Sequence, residues 1–288
     1  MIFASVNNYN SMLFLDYLFD FLNWKEEKTS DNLKVDTTKK YVVKLVNVSF
    51  VYPNCQKYAL KNINLKFESN KLVCIVGENG SGKSTLMKLI LGIYEPTSGK
   101  VLLNDKNLKD YDEAERNRLF GTAFQEVNSY YVSVDDYINF GDIDNVKDTK
   151  PYANMSLANA FIEKFQNKYQ TLLSKQFDEN GVVPSGGQLQ KLSLARAFCS
   201  KAPIMLFDEP TAALDPLSEN HICEILKILG KSYTVILISH KMCHCKLADH
   251  VVVLKDGEII EAGNHADLLK FKNIYYEMYK VQAKNFEN

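Results

Sequence analysis

At 288 residues the chain can bury a full core and carry one large α/β domain with an appendage, but not two such domains. Thirty-four basic and 35 acidic residues leave a formal net charge of −1 with no long run of one sign, which argues against nucleic acid as a partner. Cysteines at 55, 74, 199, 223, 243 and 245 follow no disulfide framework, so reduced thiols are expected, and no stretch reaches the roughly 18–20 apolar residues needed to span a bilayer.

Residues 1–24 are rich in Phe, Leu and Tyr, and Asp16, Asp20 and Asn23 draw a polar stripe down one helix face, which predicts an amphipathic helix in need of a partner. The segment lacks the basic start and cleavage site of a signal peptide. Residues 25–40 read as a linker, and the lysines from Lys34 to Lys44 as solvated charge. The globular domain is expected over 41–288. Val42 to Tyr52 and Leu65 to Phe67 predict antiparallel strands. Lys71 to Val76 predicts a buried parallel strand, with a helix over Leu86 to Leu91. A short strand, Val101 to Leu103, follows the turn Pro96-Thr97-Ser98-Gly99. Residues 112–200 carry helical patterns and read as a helical subdomain inserted in the α/β core. Strands return at Ile204 to Phe207, Val235 to Ile238 and Val251 to Leu254, alternating with helices at 217–229 and 264–281. There is no internal repeat.

Gly77-Glu78-Asn79-Gly80-Ser81-Gly82-Lys83-Ser84-Thr85 fits the phosphate-binding loop pattern G-x-x-x-x-G-K-[ST] at every fixed position, between a strand and a helix as the pattern requires. Its glycines let successive backbone N–H groups turn inward at a helix N-terminus, where phosphate oxygens bind. Lys83 reaches toward the β- and γ-phosphates of a nucleoside triphosphate and the Ser84 hydroxyl toward Mg²⁺. Asp208 and Glu209 end the apolar run Ile204-Met205-Leu206-Phe207, at the carboxyl end of a strand, where open parallel sheets bind ligands. Paired with the loop, Asp208 is expected to orient Mg²⁺ and Glu209 to polarise the water that attacks the γ-phosphate.

Ser185-Gly186-Gly187-Gln188 opens a helix over Leu189 to Cys199 and forms a second anion site, from an N-cap hydroxyl and unpaired N–H groups. It is surplus to one nucleotide unless it serves another. His240, Cys243, His244 and Cys245 cluster in sequence, but Cys243 and Cys245 diverge on a helix and no second Cys-x-x-Cys exists, so they read as structural rather than as metal ligands.

In the order phosphate loop, Ser-Gly-Gly-Gln, Asp-Glu, the chain resembles the ATP-binding cassette family, whose signature is Leu-Ser-Gly-Gly-Gln. The resemblance covers about residues 41–283. It implies a P-loop NTPase core with a mixed, largely parallel sheet, an N-terminal antiparallel β subdomain and an inserted helical signature subdomain. It implies that Tyr52 stacks on adenine, that Gln125 senses Mg²⁺ and the γ-phosphate, that Asp215 in Ala213-Leu214-Asp215 crosses a dimer interface, and that His240 holds the γ-phosphate and the attacking water. It further implies ATP and Mg²⁺ as cofactors, and a head-to-tail dimer of cassettes, expected here as a homodimer, with each ATP between one phosphate loop and the other chain's signature. One position departs: Pro184 stands where the signature has leucine, just outside the helix N-cap, where proline costs no helical hydrogen bond.

The apolar start, Met12 to Leu22, resembles the end of the last membrane helix that precedes the cassette in fused exporters. Phe177-Asp178-Glu179-Asn180-Gly181 and Phe140-Gly141-Asp142 are similar to exporters of bacterial peptides such as lantibiotics. The resemblance thus implies export powered by ATP hydrolysis at the cytoplasmic face of a bacterial membrane, with an exporter's transmembrane domain as partner and a peptide as cargo. A stand-alone transporter subunit and a soluble cassette protein are the alternatives. One phosphate loop and one signature argue against the tandem cassettes of translation factors, and the interval between them leaves no room for the coiled coil of a chromosome-repair cassette.

Overall fold

The computed structural model describes Phe19, Leu22 and residues 33–143, 148–176 and 178–284. Asp16, Asp20, Asn23 and Phe177 lie outside the described residues; Phe19 and Leu22 are helical and exposed.

Two sheets share a hydrophobic core. The first has the order β2-β1-β4-β5 and is antiparallel throughout, built from β1 (Val43–Val51), β2 (Tyr58–Phe67), β4 (Ser98–Leu103) and β5 (Lys106–Asn107). Alternation makes it one-sided: Val43 and Leu45, with Ile63, Leu65 and Phe67 opposite, point inward, while Lys44, Asn62, Asn64 and Lys66 face out. Leu65 to Phe67 is only the end of β2. Its earlier part is interrupted by Asn62 in left-handed backbone and by register shifts against β1, which break the alternation that sequence patterns rely on.

The second sheet has the order β10-β9-β3-β8-β7-β6. It comprises β3 (Leu72–Val76), β6 (Phe120–Ala123), β7 (Ile204–Asp208), β8 (Thr234–Ile238), β9 (His250–Lys255) and β10 (Glu258–Gly263), parallel except for the β9–β10 edge. Every residue of β3, β7 and β8 is buried, as expected for strands covered on both faces. One face packs through Val73, Ile75, Leu206, Ile236 and Val252 against α1 (Lys83–Ile90) and the antiparallel sheet. The other packs through Cys74, Met205, Phe207, Leu237 and Val253 against α6 (Gly186–Ser200), α7 (Pro216–Leu229), α8 (His265–Phe271) and α9 (Ile274–Lys284).

The helical pattern over 112–200 is corrected at its start. After α2 (Glu113–Asn117) the chain contributes β6, an edge strand of the core sheet hidden in sequence by its four-residue length and by Gly121 and Ala123. The helical subdomain proper holds α3 (Val134–Asn139), α4 (Lys150–Met155) and α5 (Asn159–Ile162), with its own core of Tyr137, Ile138, Ala153 and Ile162. Helix α6 joins the two cores: Leu192, Ala195 and Cys199 face the subdomain while Leu194, Ala197 and Phe198 face the sheet. The pattern over 264–281 is two helices, because Lys272 takes left-handed backbone (φ 52°) between α8 and α9.

Residues 33–40 are docked on this body. Leu33 bridges to Tyr111, the Val35 N–H donates to Glu115 Oε2 (2.8 Å), and both apolar side chains pack on the first core. No helix among the described residues is long and apolar enough to cross a membrane.

Candidate active site

The loop from β3 into α1 closes around its own lysine. Gly82 caps α1 with φ 105°, and a Cβ there would lie 2.8 Å from the Ala59 carbonyl oxygen, so both the backbone angle and the space require glycine. Lys83 Nζ donates to the carbonyls of Gly77 (2.8 Å) and Glu78 (2.9 Å) and shares its cleft with Asp208 at the end of β7 and Glu209 just after it. Burial pulls its pKa below the ordinary lysine value, against the opposing pull of Glu209 and Asp208. Ser81, within the loop, is buried, and its hydroxyl is an orphan among the described residues.

Asp208 ends β7 and its Oδ2 accepts from Ser84 Oγ at 3.4 Å. Burial, and then the charge of Glu209, push its pKa above the ordinary carboxylate value, with the Ser84 hydroxyl pulling the other way. Glu209 turns sharply away: its φ of 48° is left-handed, a costly conformation for a residue with a side chain. Three bonds hold it there. Its N–H donates to the Ile238 carbonyl (3.0 Å), and its carbonyl accepts from Gln190 Nε2 (3.0 Å) and from the Ala212 N–H (3.2 Å). The turn aims the carboxylate at the segment after β8, where His240 Nδ1 lies 2.9 Å from Glu209 Oε2.

These residues share one cleft of about 820 Å³, lined by Tyr52, Asn79, Gly80, Gly82, Lys83, Ser84, Thr85, Gln125, Asp208, Glu209 and His240. Tyr52 leans inward, its hydroxyl 3.0 Å from Thr85 Oγ1 and its ring edge-on to Phe50 and Tyr94. Gly77 and Glu78 border an adjoining groove along α9. A hydroxyl, a buried carboxylate and an amide-bearing side chain on this wall make an all-oxygen donor set, which fits a hard cation such as Mg²⁺.

Ser185, Gly186, Gly187, Gln188 and Asp215 lie apart from that cleft. Ser185 caps α6 in a capping box: its Oγ accepts from the Gln188 N–H (3.3 Å) while Gln188 Oε1 accepts from the Ser185 N–H (2.9 Å). Asp215 caps α7 through the Ser218 N–H (3.0 Å) with Pro216 next, a favourable N-terminus. Gly187 approaches the Ala213 carbonyl so closely that a Cβ would stand 2.8 Å from its oxygen. Ser185, Gly186 and Asp215 are exposed.

Two glutamines connect these parts, and neither stands out in the sequence. Gln190, 3% exposed, donates from Nε2 to the Glu209 carbonyl and accepts the Ala213 N–H at Oε1 (2.8 Å), tying the catalytic-strand end to the loop beside the Ser-Gly-Gly-Gln helix. Gln282 on α9 donates from Nε2 to the His240 carbonyl (2.6 Å) and accepts the Met242 N–H (2.8 Å), bracing the His240 segment from outside the sheet. Both sit among other polar residues on their helices and look like solvent-facing positions; the one signal is the i to i+2 offset of Gln190 from the Ser-Gly-Gly-Gln motif.

The family model described as ABC transporter matches residues 60–212, just over half of the chain, and its span holds the phosphate loop, the Ser-Gly-Gly-Gln helix and the Asp208-Glu209 strand end. The chain belongs to the ABC transporter family. It is an ABC ATPase domain and binds nucleotide. It is 38% identical to the subtilin transport ATP-binding protein SpaT of Bacillus subtilis over 97% of this chain and 46% of that protein. It is also 38% identical to the nisin transport ATP-binding protein NisT of Lactococcus lactis subsp. lactis, over 94% of this chain and 46% of the relative. The ATP-dependent lipid A-core flippase of Escherichia coli K12 is 35% identical over 92% of this chain and 45% of the relative. A bacterial Atm1-family ABC exporter with ATP bound superposes with a TM-score of 0.84 at 26% identity, covering 96% of this chain and 48% of that one. The ABC ATPase described here therefore spans about half the length of the relatives it matches.

Proposed function

We propose that this chain powers export: it is the ATP-hydrolysing cassette of a bacterial exporter, working at the cytoplasmic face of the membrane against a transmembrane partner, with a peptide as cargo. The observation that carries the chemistry is the 2.9 Å approach of His240 Nδ1 to the Glu209 carboxylate, on the wall of the cleft that also holds Lys83 and Asp208. Residues 1–24 are then the end of a membrane helix, 25–40 the connection and 41–288 the cassette. The transport names of the relatives and their roughly doubled length support this reading.

In this mechanism Tyr52 supports the adenine ring, while the 77–85 loop, including Glu78, Asn79, Ser81 and Thr85, cradles the phosphates and Lys83 neutralises the transferring phosphoryl group. Ser84, Asp208 and Gln125 would hold Mg²⁺, which would supply charge neutralisation for phosphoryl transfer. Glu209 orients the attacking water and accepts its proton, with its carboxylate fixed by the left-handed turn. His240 donates toward the γ-phosphate and keeps that carboxylate and the water aligned. Ser185 and Gly186, exposed, and Gly187 and Gln188, half-buried, lie off the cleft and present their anion site to the nucleotide of a second copy, and Asp215 lies along the same junction, so two chains meet head to tail in a homodimer.

Lys83→Ala should lose ATP binding or hydrolysis through the missing buried charge, while Glu209→Gln should bind ATP and turn over at least 100-fold more slowly, within the range general-base loss produces. ATP binding by fluorescent analogue and phosphate release measure the two separately. Hydrolysis at the wild-type rate by Glu209→Gln would sink the assignment.

A further inference from the structure

A second cluster of donor atoms lies behind His240 and outside the nucleotide cleft. Glu219 from α7 meets Cys243 and His244 from the 3-10 turn Met242–Leu247, with one ligand atom from each within 4.8 Å of the others. His244 Nε2 is 2.8 Å from Glu219 Oε1, and its Nδ1 is 2.7 Å from Ser239 Oγ. His244 is buried and Cys243 exposed, so the site has an anchored imidazole at its floor and a thiol at its mouth. Cys245 is not part of it, because its sulfur turns inward to lie 3.8 Å from Cys74 Sγ. The divergence of Cys243 and Cys245 expected from sequence is therefore present, yet it does not remove a metal site: the third donor comes from Glu219, distant in sequence.

The geometry points to a binding site for a zinc-class divalent cation formed by Glu219, Cys243 and His244, mutually exclusive with the Lys241–Glu219 ion pair. Sulfur, imidazole and carboxylate suit a borderline-soft ion, and Mg²⁺ takes neither of the first two. A tetrahedral ion with bonds of about 2.0–2.3 Å sets its donors roughly 3.3–3.8 Å apart, so the three atoms need move by only about 1 Å, with water as the fourth ligand. Ser239 is suited to the second shell: its hydroxyl can donate to Nδ1 when Nε2–H faces Glu219, or accept from Nδ1–H once Nε2 ligates. The competitor is Lys241, whose Nζ sits 2.8 and 2.7 Å from the two Glu219 oxygens. Its side chain is 30% exposed and has water to swing into, whereas the histidine does not. On ligation the Cys243 thiol releases its proton to solvent; nothing is oxidised or reduced. Because Lys241 directly follows His240, cation binding also shifts the segment that Gln282 braces. That consequence rests on the role proposed for His240, whereas binding does not.

Co²⁺ titrated into the reduced full chain in millimolar Mg²⁺ should give a sulfur-to-cobalt charge-transfer band and a tetrahedral d–d envelope, both displaced by Zn²⁺. Cys243→Ser should lose the band, while Cys55→Ser, which changes the exposed thiol of the nucleotide cleft, should keep it. Ser239→Ala should weaken binding about 10- to 100-fold, as second-shell losses do, and Lys241→Gln should tighten it by removing the competing charge. Absence of the band, its survival in Cys243→Ser, or weaker binding by Lys241→Gln would overturn the site. A saturated site that leaves ATP hydrolysis unchanged would overturn only the coupling to His240.

Discussion

Removing the Gln190 side chain should damage both stability and turnover, and the size of each effect follows from its two bonds. Gln190→Leu keeps the volume and apolar packing of α6 but removes the bonds to the Glu209 carbonyl, which keeps the Ala212 N–H (3.2 Å), and to the Ala213 N–H. A hydrogen bond is worth about 0.5–1.5 kcal/mol net. Neither group is orphaned, since the Glu209 carbonyl keeps the Ala212 N–H and the exposed Ala213 N–H can recover water, so the two net values add to about 1–3 kcal/mol. For a domain of this size that lowers Tm by about 2–12 °C, at about 2–4 °C per kcal/mol. The left-handed turn at Glu209 loses one of its three holding bonds, so the carboxylate is less often aimed at His240. We expect kcat to fall about tenfold, equivalent to about 1.4 kcal/mol, with the Kd for ATP unchanged. Gln190→Glu is the sharper variant, since it keeps the acceptor for Ala213 but sets a carboxylate against the Glu209 carbonyl; it should cost at least as much. Differential scanning fluorimetry with steady-state phosphate release decides it. Wild-type Tm and kcat in both variants would refute the idea that Gln190 holds the strand end.

Asp208 should trade stability for chemistry. Its folded-state pKa is raised by burial and by Glu209, so it favours the folded state below the ordinary carboxylate value, and that contribution disappears as pH rises through the folded-state pKa. At neutral pH Asp208→Asn should therefore raise the Tm of the nucleotide-free protein, while hydrolysis is lost; the gain should vanish in melts at acid pH. Gln282→Ala should cut kcat about 3- to 10-fold, the equivalent of one net hydrogen bond, and leave the Kd for ATP unchanged. A rise in Kd instead would place Gln282 in folding of the cleft rather than in positioning His240.

What could be read from the sequence was what local chemistry fixes. The phosphate loop, the runs Leu72 to Val76 and Ile204 to Asp208, and the N-cap at Ser185 are dictated by neighbours along the chain, and the structure holds them where the pattern sets them. The misses share a cause. Strand β6 is four residues long and carries Gly121 because Ser200 and Ala197 of α6 press against it, a tertiary reason with no periodic trace. The α8–α9 break falls on Lys272, without glycine or proline to mark it. Gln190, Gln282 and Glu219 matter because the fold carries backbone atoms or side chains distant in sequence to within hydrogen-bonding distance of them.

The central claim is that the active site is shared between two chains, and nucleotide-driven dimerisation of a hydrolysis-blocked protein tests it most directly. Gly186 has nothing within 4 Å of where a Cβ would stand, so Gly186→Asp leaves the fold of its own chain undisturbed while placing a carboxylate on the anion site. In light scattering, Glu209→Gln should pass from monomer to dimer when ATP is added. The Glu209→Gln, Gly186→Asp double variant should bind ATP with the same Kd and remain a monomer. Equal dimerisation of the two proteins, or loss of ATP binding by the double variant, would contradict a nucleotide held between one chain's phosphate loop and the other's Ser185 helix.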